Sequence, residues 1–139
     1  MKATVGLIDG VAFSGTTESG HTVTMDGPPD HGGRNLGPRP MEMLLLGMGS
    51  CSAFDVVHIL RRGRHDVTDC RVELDAERAE REPKVFTRIH ARYLVSGRDL
   101  KPEVVERAVK LSMEKYCSAS IMLGKTAQIS FEVEITASG

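Results

Sequence analysis

The sequence predicts an α+β fold with largely antiparallel sheet, and three observations carry that prediction. Short segments of alternating apolar and polar residues, separated by Gly-containing turns, fill the first quarter of the chain. A long apolar stretch with helical punctuation follows. Two more alternating segments then precede a second helical pattern and a closing strand. The order is β-β-β-α-β-β-α-β with a short extra helix, expected as one domain over residues 1–139.

The elements are justified in turn. Ala3, Val5 and Leu7 alternate with Thr4, Gly6 and Ile8, and Asp9-Gly10 is a hairpin signal. Val11-Ala12-Phe13 begins a second strand, Ser19-Gly20 turns again, and His21 to Asp26 alternates, which together make a meander. Gly27 to Arg39, with Gly-Pro-Pro, Gly-Gly and Gly-Pro, reads as a loop. Pro40 suits a first helical position and Gly63 a C-cap, giving a helix of about 23 residues, roughly 34 Å long. Its first half is apolar nearly all round, at Met41, Met43, Leu44, Leu45, Leu46 and Met48, so it needs cover on every side. One small sheet covers one side, and a second copy of the chain is expected on the other.

Val67 to Glu77 alternates as a half-buried strand, with Cys70, Val72 and Leu74 inward. Val85 to Val95 alternates again, with Phe86 and Leu94 breaking the polar face of Arg88, His90 and Arg92. Asp99 is the expected N-cap of a helix running to Tyr116, and Ser118 or Ser120 the cap of a short helix through Leu123. Gln128 to Thr136 closes the chain as a strand.

Composition removes several function classes. The 139 residues carry 18 Lys+Arg against 19 Asp+Glu, a formal net charge of -1, which gives no electrostatic case for nucleic acid or an anionic membrane surface. Two Tyr, four Phe and no Trp leave few platforms for stacking bases. Met43 to Ser52, the longest apolar stretch, is too short and too Gly-rich to span a bilayer, so no membrane is expected. The first residues lack the apolar run of a secretory signal, and three cysteines with no CxxC fit reduced thiols in the cytoplasm. The five His have no ligand-like spacing, and neither a metal nor a cofactor is expected.

The cysteines are the chemical candidates. Cys70 reads as a buried, inert thiol on the inner face of a strand. Cys51 lies mid-helix among Gly47, Gly49, Ser50 and Ser52, where small residues admit another element, and Cys117 lies where a helix breaks. Asp55 follows Cys51 on the same helical face, and a carboxylate disfavours a neighbouring thiolate. Any cation that activates Cys51 must come from another segment or another chain.

Pro40-Met41-Glu42-Met43-Leu44, Gly49-Ser50-Cys51-Ser52-Ala53-Phe54-Asp55-Val56-Val57, Arg107-Ala108-Val109-Lys110-Leu111-Ser112 and Glu114-Lys115-Tyr116-Cys117-Ser118 resemble the OsmC/Ohr family, and most closely its YhfA-like branch. The resemblance covers the whole chain. It implies an intertwined homodimer of α+β subunits with the Cys51 helix at its centre. It also implies an organic hydroperoxide as substrate, Cys51 as the peroxidatic and Cys117 as the resolving cysteine. A dithiol, a lipoyl protein in the Ohr branch, is the implied reductant.

Two departures stand out. The family's hydroperoxide reductases place an Arg in the N-terminal hairpin region, whereas here none precedes Arg34. They place a Glu directly after the motif Pro, whereas here that position is Met41 and the acid is Glu42, about 100° further round the helix. Arg39 or Arg34, Glu42 and Asp55 are the candidate supporting residues. The alternative expectation is a non-peroxidatic dimer that binds a small apolar or thiol-reactive ligand at the subunit interface.

Overall fold

Turn chemistry sets the first sheet. Strands β1 (Ala3–Asp9), β2 (Ala12–Thr17) and β3 (Thr22–Met25) pair antiparallel in that order. Gly10 and Gly20 supply the turns at φ +54° and +92°, a region that side chains other than hydrogen resist. The structure, a computed structural model, describes residues 1–136, and its backbone contacts cluster into two compact units, Met1–Leu45 and the chain from Leu46 onward.

In the first unit, the loop after β3 is organised by one buried carboxylate. Asp26 accepts from the backbone N–H of Gly27, Arg34 and Leu36 at 2.7, 3.0 and 3.2 Å. These amides, that of Arg34 foremost, hold the Asp26 carboxyl below the usual range. A single 3-10 turn at Pro29–His31 lies inside the loop. Arg34 pairs with Asp9 of β1.

Helix α1 (Pro40–Arg62) starts at the Pro as the sequence predicts. At its exit Gly63 takes the C-cap position, and the left-handed residue is the following Arg64 at φ 63°, with His65 N–H on the Leu60 carbonyl at 2.9 Å. By length and composition α1 is apolar enough to cross a membrane, with a mean hydropathy of 1.7 over 18 residues. The helix contains the Met43 to Ser52 stretch as a shorter part. Its second half is nevertheless built into protein, with Ser52, Val56 and Leu60 buried, while Leu46 and Phe54 stay 60% and 70% exposed.

In the second unit, β4 (Asp66–Arg78), β5 (Phe86–Arg98) and β6 (Gln128–Thr136) form a sheet in chain order. β4 and β5 are antiparallel, whereas β5 and β6 run parallel, a pairing that alternation in sequence does not reveal. Val56 and Leu60 of α1 pack with Ala91, Tyr93 and Val95 of β5 and with Val105, Ala108 and Val109 of α2 (Pro102–Leu111). A register shift between Glu77 and Arg78 explains Phe86. It changes the phase of the strand, so Phe86 and Ile89, three apart, are both buried. α1 approaches β4 so closely that a Cβ on Gly49 would come within 2.7 Å of Leu74 Cδ1, the close approach the small residues predict.

Two predicted caps are corrected. Asp99 occupies a left-handed turn at φ 55°, and the N-cap of α2 is Lys101, because Pro102 takes the first helical position. The short helix α3 (Ser118–Leu123) is capped by Cys117, whose sulfur accepts the Ser120 N–H.

Candidate active site

The second helical pattern does not run unbroken to Tyr116. α2 ends at Leu111, and Ser112–Tyr116 widens into a π-helical turn closed by the Cys117 N–H on the Ser112 carbonyl at 2.7 Å. The extra residue in that turn leaves Ser112 buried in the interior and delivers Cys117 to the start of α3. Cys117 is fully buried, while Cys51 and Asp55 are half-buried on consecutive turns of α1. The two sulfurs and a carboxylate oxygen of Asp55 lie within 4.8 Å of one another.

Cys117 is closely held. Its sulfur accepts from Ser120 N–H at 3.3 Å and Ser120 Oγ at 3.0 Å, and lies 3.9 Å from the Met48 carbonyl as a weak donor. Burial pushes the Cys117 thiol up, the neighbouring Cys51 adds to that, and the Ser120 donors oppose it.

Asp55 terminates a buried relay. Ser112 Oγ donates to Asp55 Oδ2 at 2.9 Å, Ser52 Oγ lies 2.9 Å from Ser112 Oγ, and Tyr93 Oη lies 2.5 Å from Ser52 Oγ. Each hydroxyl carries one hydrogen, so the direction follows from the carboxylate end: Tyr93 donates to Ser52, Ser52 to Ser112, and Ser112 to Asp55. Tyr93, Ser52 and Ser112 are fully buried, and burial pushes the Tyr93 phenol up to about 12. Sequence reasoning assigned none of these three a role. Ser52 beside Cys51 was the only available signal, since Tyr93 and Ser112 come from distant segments.

The other candidates are placed elsewhere. The Glu42 carboxylate accepts the Arg39 N–H at 2.8 Å, half of a capping box at the start of α1. The Arg39 guanidinium donates to Asn35 Oδ1 and the Gly37 carbonyl at 2.8 and 3.3 Å. Cys70 is half-buried rather than buried, because it borders a groove with Phe54, Val57 and Arg61; burial, and then Asp69, raise its thiol. Beside Asp55 opens a groove of about 400 Å³, lined also by His58, Ile59, Arg62, Leu111 and Tyr116. It joins an apolar wall to the Arg62 side chain, with Asp55 on its rim.

Comparison with known proteins bears on the family and the fold. The family model described as OsmC-like protein matches residues 31–134. Protein YhfA of Escherichia coli K12 is 47% identical over 137 residues, covering 99% of each chain. The crystal structure of a hypothetical protein from Aquifex aeolicus VF5 superposes with a TM-score of 0.81 at 35% identity, covering 97% of this chain and 96% of that one. An organic hydroperoxide resistance protein from Elizabethkingia anophelis shares the fold at a TM-score of 0.73 and 14% identity, covering 96% and 94%.

Proposed function

The chain belongs to the OsmC-like protein family, and we propose on that basis that it is a thiol-dependent reductase of organic hydroperoxides. The observation that carries this reading is the convergence of Cys51 and Cys117, from separate segments, on one site with Asp55. The fold it shares with a protein named for organic hydroperoxide resistance supports the substrate class.

In this reading the Cys51 sulfur attacks the distal peroxide oxygen, the O–O bond breaks, and the alcohol leaves with the thiol proton. Cys51 is then a sulfenic acid. The Cys117 sulfur attacks it, water leaves, and a Cys51–Cys117 disulfide forms. A dithiol such as a lipoyl protein reduces that disulfide in two exchange steps, which suits a reducing cytoplasm. Apolar Ile59, Leu111 and the Tyr116 ring favour an alkyl hydroperoxide over hydrogen peroxide, since burying the alkyl group gains free energy that a small polar peroxide lacks.

The working form is a homodimer in this proposal. Leu46 and Phe54 project from an apolar helix with more than half their surface exposed, and a second copy supplies the cover. The test of activity is single-turnover loss of the Cys51 thiol with cumene hydroperoxide. The expected rate exceeds that of free cysteine at matched thiolate concentration, and Cys51→Ser abolishes turnover of the hydroperoxide. A rate no faster than free cysteine overturns the enzyme reading.

One observation favours a second reading, a ligand-binding dimer without peroxidase activity. Glu42 and Arg39 are committed to capping α1 and to the preceding loop, so the acid and cation closest to the family's pattern are already engaged. Retention of an apolar thiol-reactive ligand by Cys51→Ser, with no turnover in the native protein, selects it.

A further inference from the structure

We propose that the reduced site also binds a soft divalent cation of the zinc class, held by Cys51 Sγ, a carboxylate oxygen of Asp55 and Cys117 Sγ. This does not rest on the hydroperoxide reading, because it concerns the dithiol state and its readout is metal binding.

The donor set is the first argument. Three ligand atoms lie within 4.8 Å of one another. Tetrahedral zinc, with bonds of about 2.3 Å to sulfur and 2.0–2.2 Å to oxygen, needs donors roughly 3.3–3.8 Å apart. The site therefore closes onto the ion by at most about 1.0–1.5 Å per donor pair, within the reach of side-chain rotation. Two thiolates and no imidazole select zinc or cadmium over magnesium or calcium. Cys51 and Asp55 come from consecutive turns of one rigid helix, and Cys117 from the residue that caps another.

The outer hydrogen bonds are the second argument. Ligands of a metal centre are oriented by groups behind them. Here Ser112 donates to Asp55 Oδ2, and the buried Tyr93–Ser52–Ser112 relay fixes that serine. Ser120 donates two hydrogen bonds to the Cys117 sulfur, an arrangement that stabilises a thiolate. Charge is the third argument. In the bound state two thiolates and a carboxylate sum to three negative charges, and the divalent cation that replaces the two thiol protons offsets two of them.

Binding is balanced as follows: two thiols and one carboxylate take up one M²⁺, and two protons are released. Three protein ligands leave a fourth position for water. An ion there occupies both sulfurs, so metal and hydroperoxide exclude each other.

The experiment titrates the reduced, metal-free, full-length protein with Cd²⁺ and follows the sulfur-to-cadmium charge-transfer absorption. About one equivalent is expected, with loss of tight binding in Cys51→Ser and in Cys117→Ser. Ser112→Ala is expected to weaken binding at least about tenfold. Cys70→Ser is expected to change nothing. In parallel, one equivalent of Zn²⁺ should block alkylation of the half-buried Cys51 in peptide mapping and leave Cys70 labelling unaltered. This second measurement needs no variant to fold. Equal Cd²⁺ affinity in Cys117→Ser, or unprotected Cys51 in the native protein with Zn²⁺, overturns the proposal. Peroxide turnover assayed on the same metal-free sample reports separately on the enzyme reading.

Discussion

Ser120 donates both its backbone N–H and its hydroxyl to the sulfur of Cys117, at 3.3 and 3.0 Å. A cysteine thus does the work of an N-cap for α3, and the cap in turn fixes where that sulfur points. Structure and proposed chemistry share one atom: once the sulfur enters a disulfide it is a poorer acceptor, so oxidation loosens the start of α3.

Ser120→Ala tests that link. The variant keeps the backbone donor and loses the hydroxyl, at a cost of about 1 kcal/mol in stability. Formation of the Cys51 sulfenic acid should keep its rate, while closure of the Cys51–Cys117 disulfide slows, because the lost donor favours the Cys117 thiolate. Stopped-flow trapping of the sulfenic acid separates the two steps. Equal slowing of both would show that Ser120 shapes the whole site rather than one sulfur.

Tyr93→Phe removes the first donor of the buried relay and leaves the Ser52 oxygen without it. The expected loss is about 1–3 kcal/mol by urea unfolding. Tyr93→Phe combined with Ser52→Ala should cost less than the sum, since the two residues share one hydrogen bond. Strict additivity would break the relay into independent parts.

The same phenol sets an alkaline limit. Its folded value is pushed up to about 12, above an unfolded value of about 10. The native state therefore holds the proton more tightly, its contribution is complete below about pH 10, and it is lost as pH rises toward 12. Unfolding titrations between those values should show falling stability in the native protein and a flatter profile in Tyr93→Phe.

Asp26 sets the corresponding acid limit. Its folded value is depressed, chiefly by the Arg34 amide, so its contribution is present above the unfolded value of about 3.9 and is lost as pH falls through the folded one. Asp26→Asn should lower stability at neutral pH and flatten the acid limb. An unchanged limb by circular dichroism would assign acid unfolding to other carboxylates.

Leu46→Asp addresses assembly. Leu46 is 60% exposed on one chain, so a charge there costs little in a monomer and much at an apolar interface. Sedimentation velocity should find two chains in the native protein and dissociation or aggregation in the variant. A stable native monomer at micromolar concentration would leave the dimer without support.

The sequence by itself determined most of the elements and singled out Cys51 and Cys117 as candidates. Alternation located five of the strands and the Asp9-Gly10 turn the start of β2, Pro40 located the start of α1, and the pairing of Cys51 with Asp55 one turn later follows from helical spacing alone. These are local signals, carried by neighbours within a few residues. Only the tertiary structure decided that Cys117 joins them, because that depends on the π-helical turn at Ser112–Tyr116, which no repeat in the sequence marks. It also decided the parallel pairing of β5 and β6, and the relay from Tyr93 through Ser52 and Ser112. It assigned Glu42 to the helix cap. Each of these joins residues whose partners are chosen by competition for burial and hydrogen bonds across the folded chain, and a buried hydroxyl takes the partner that packing brings within 3 Å, wherever that partner lies in the sequence.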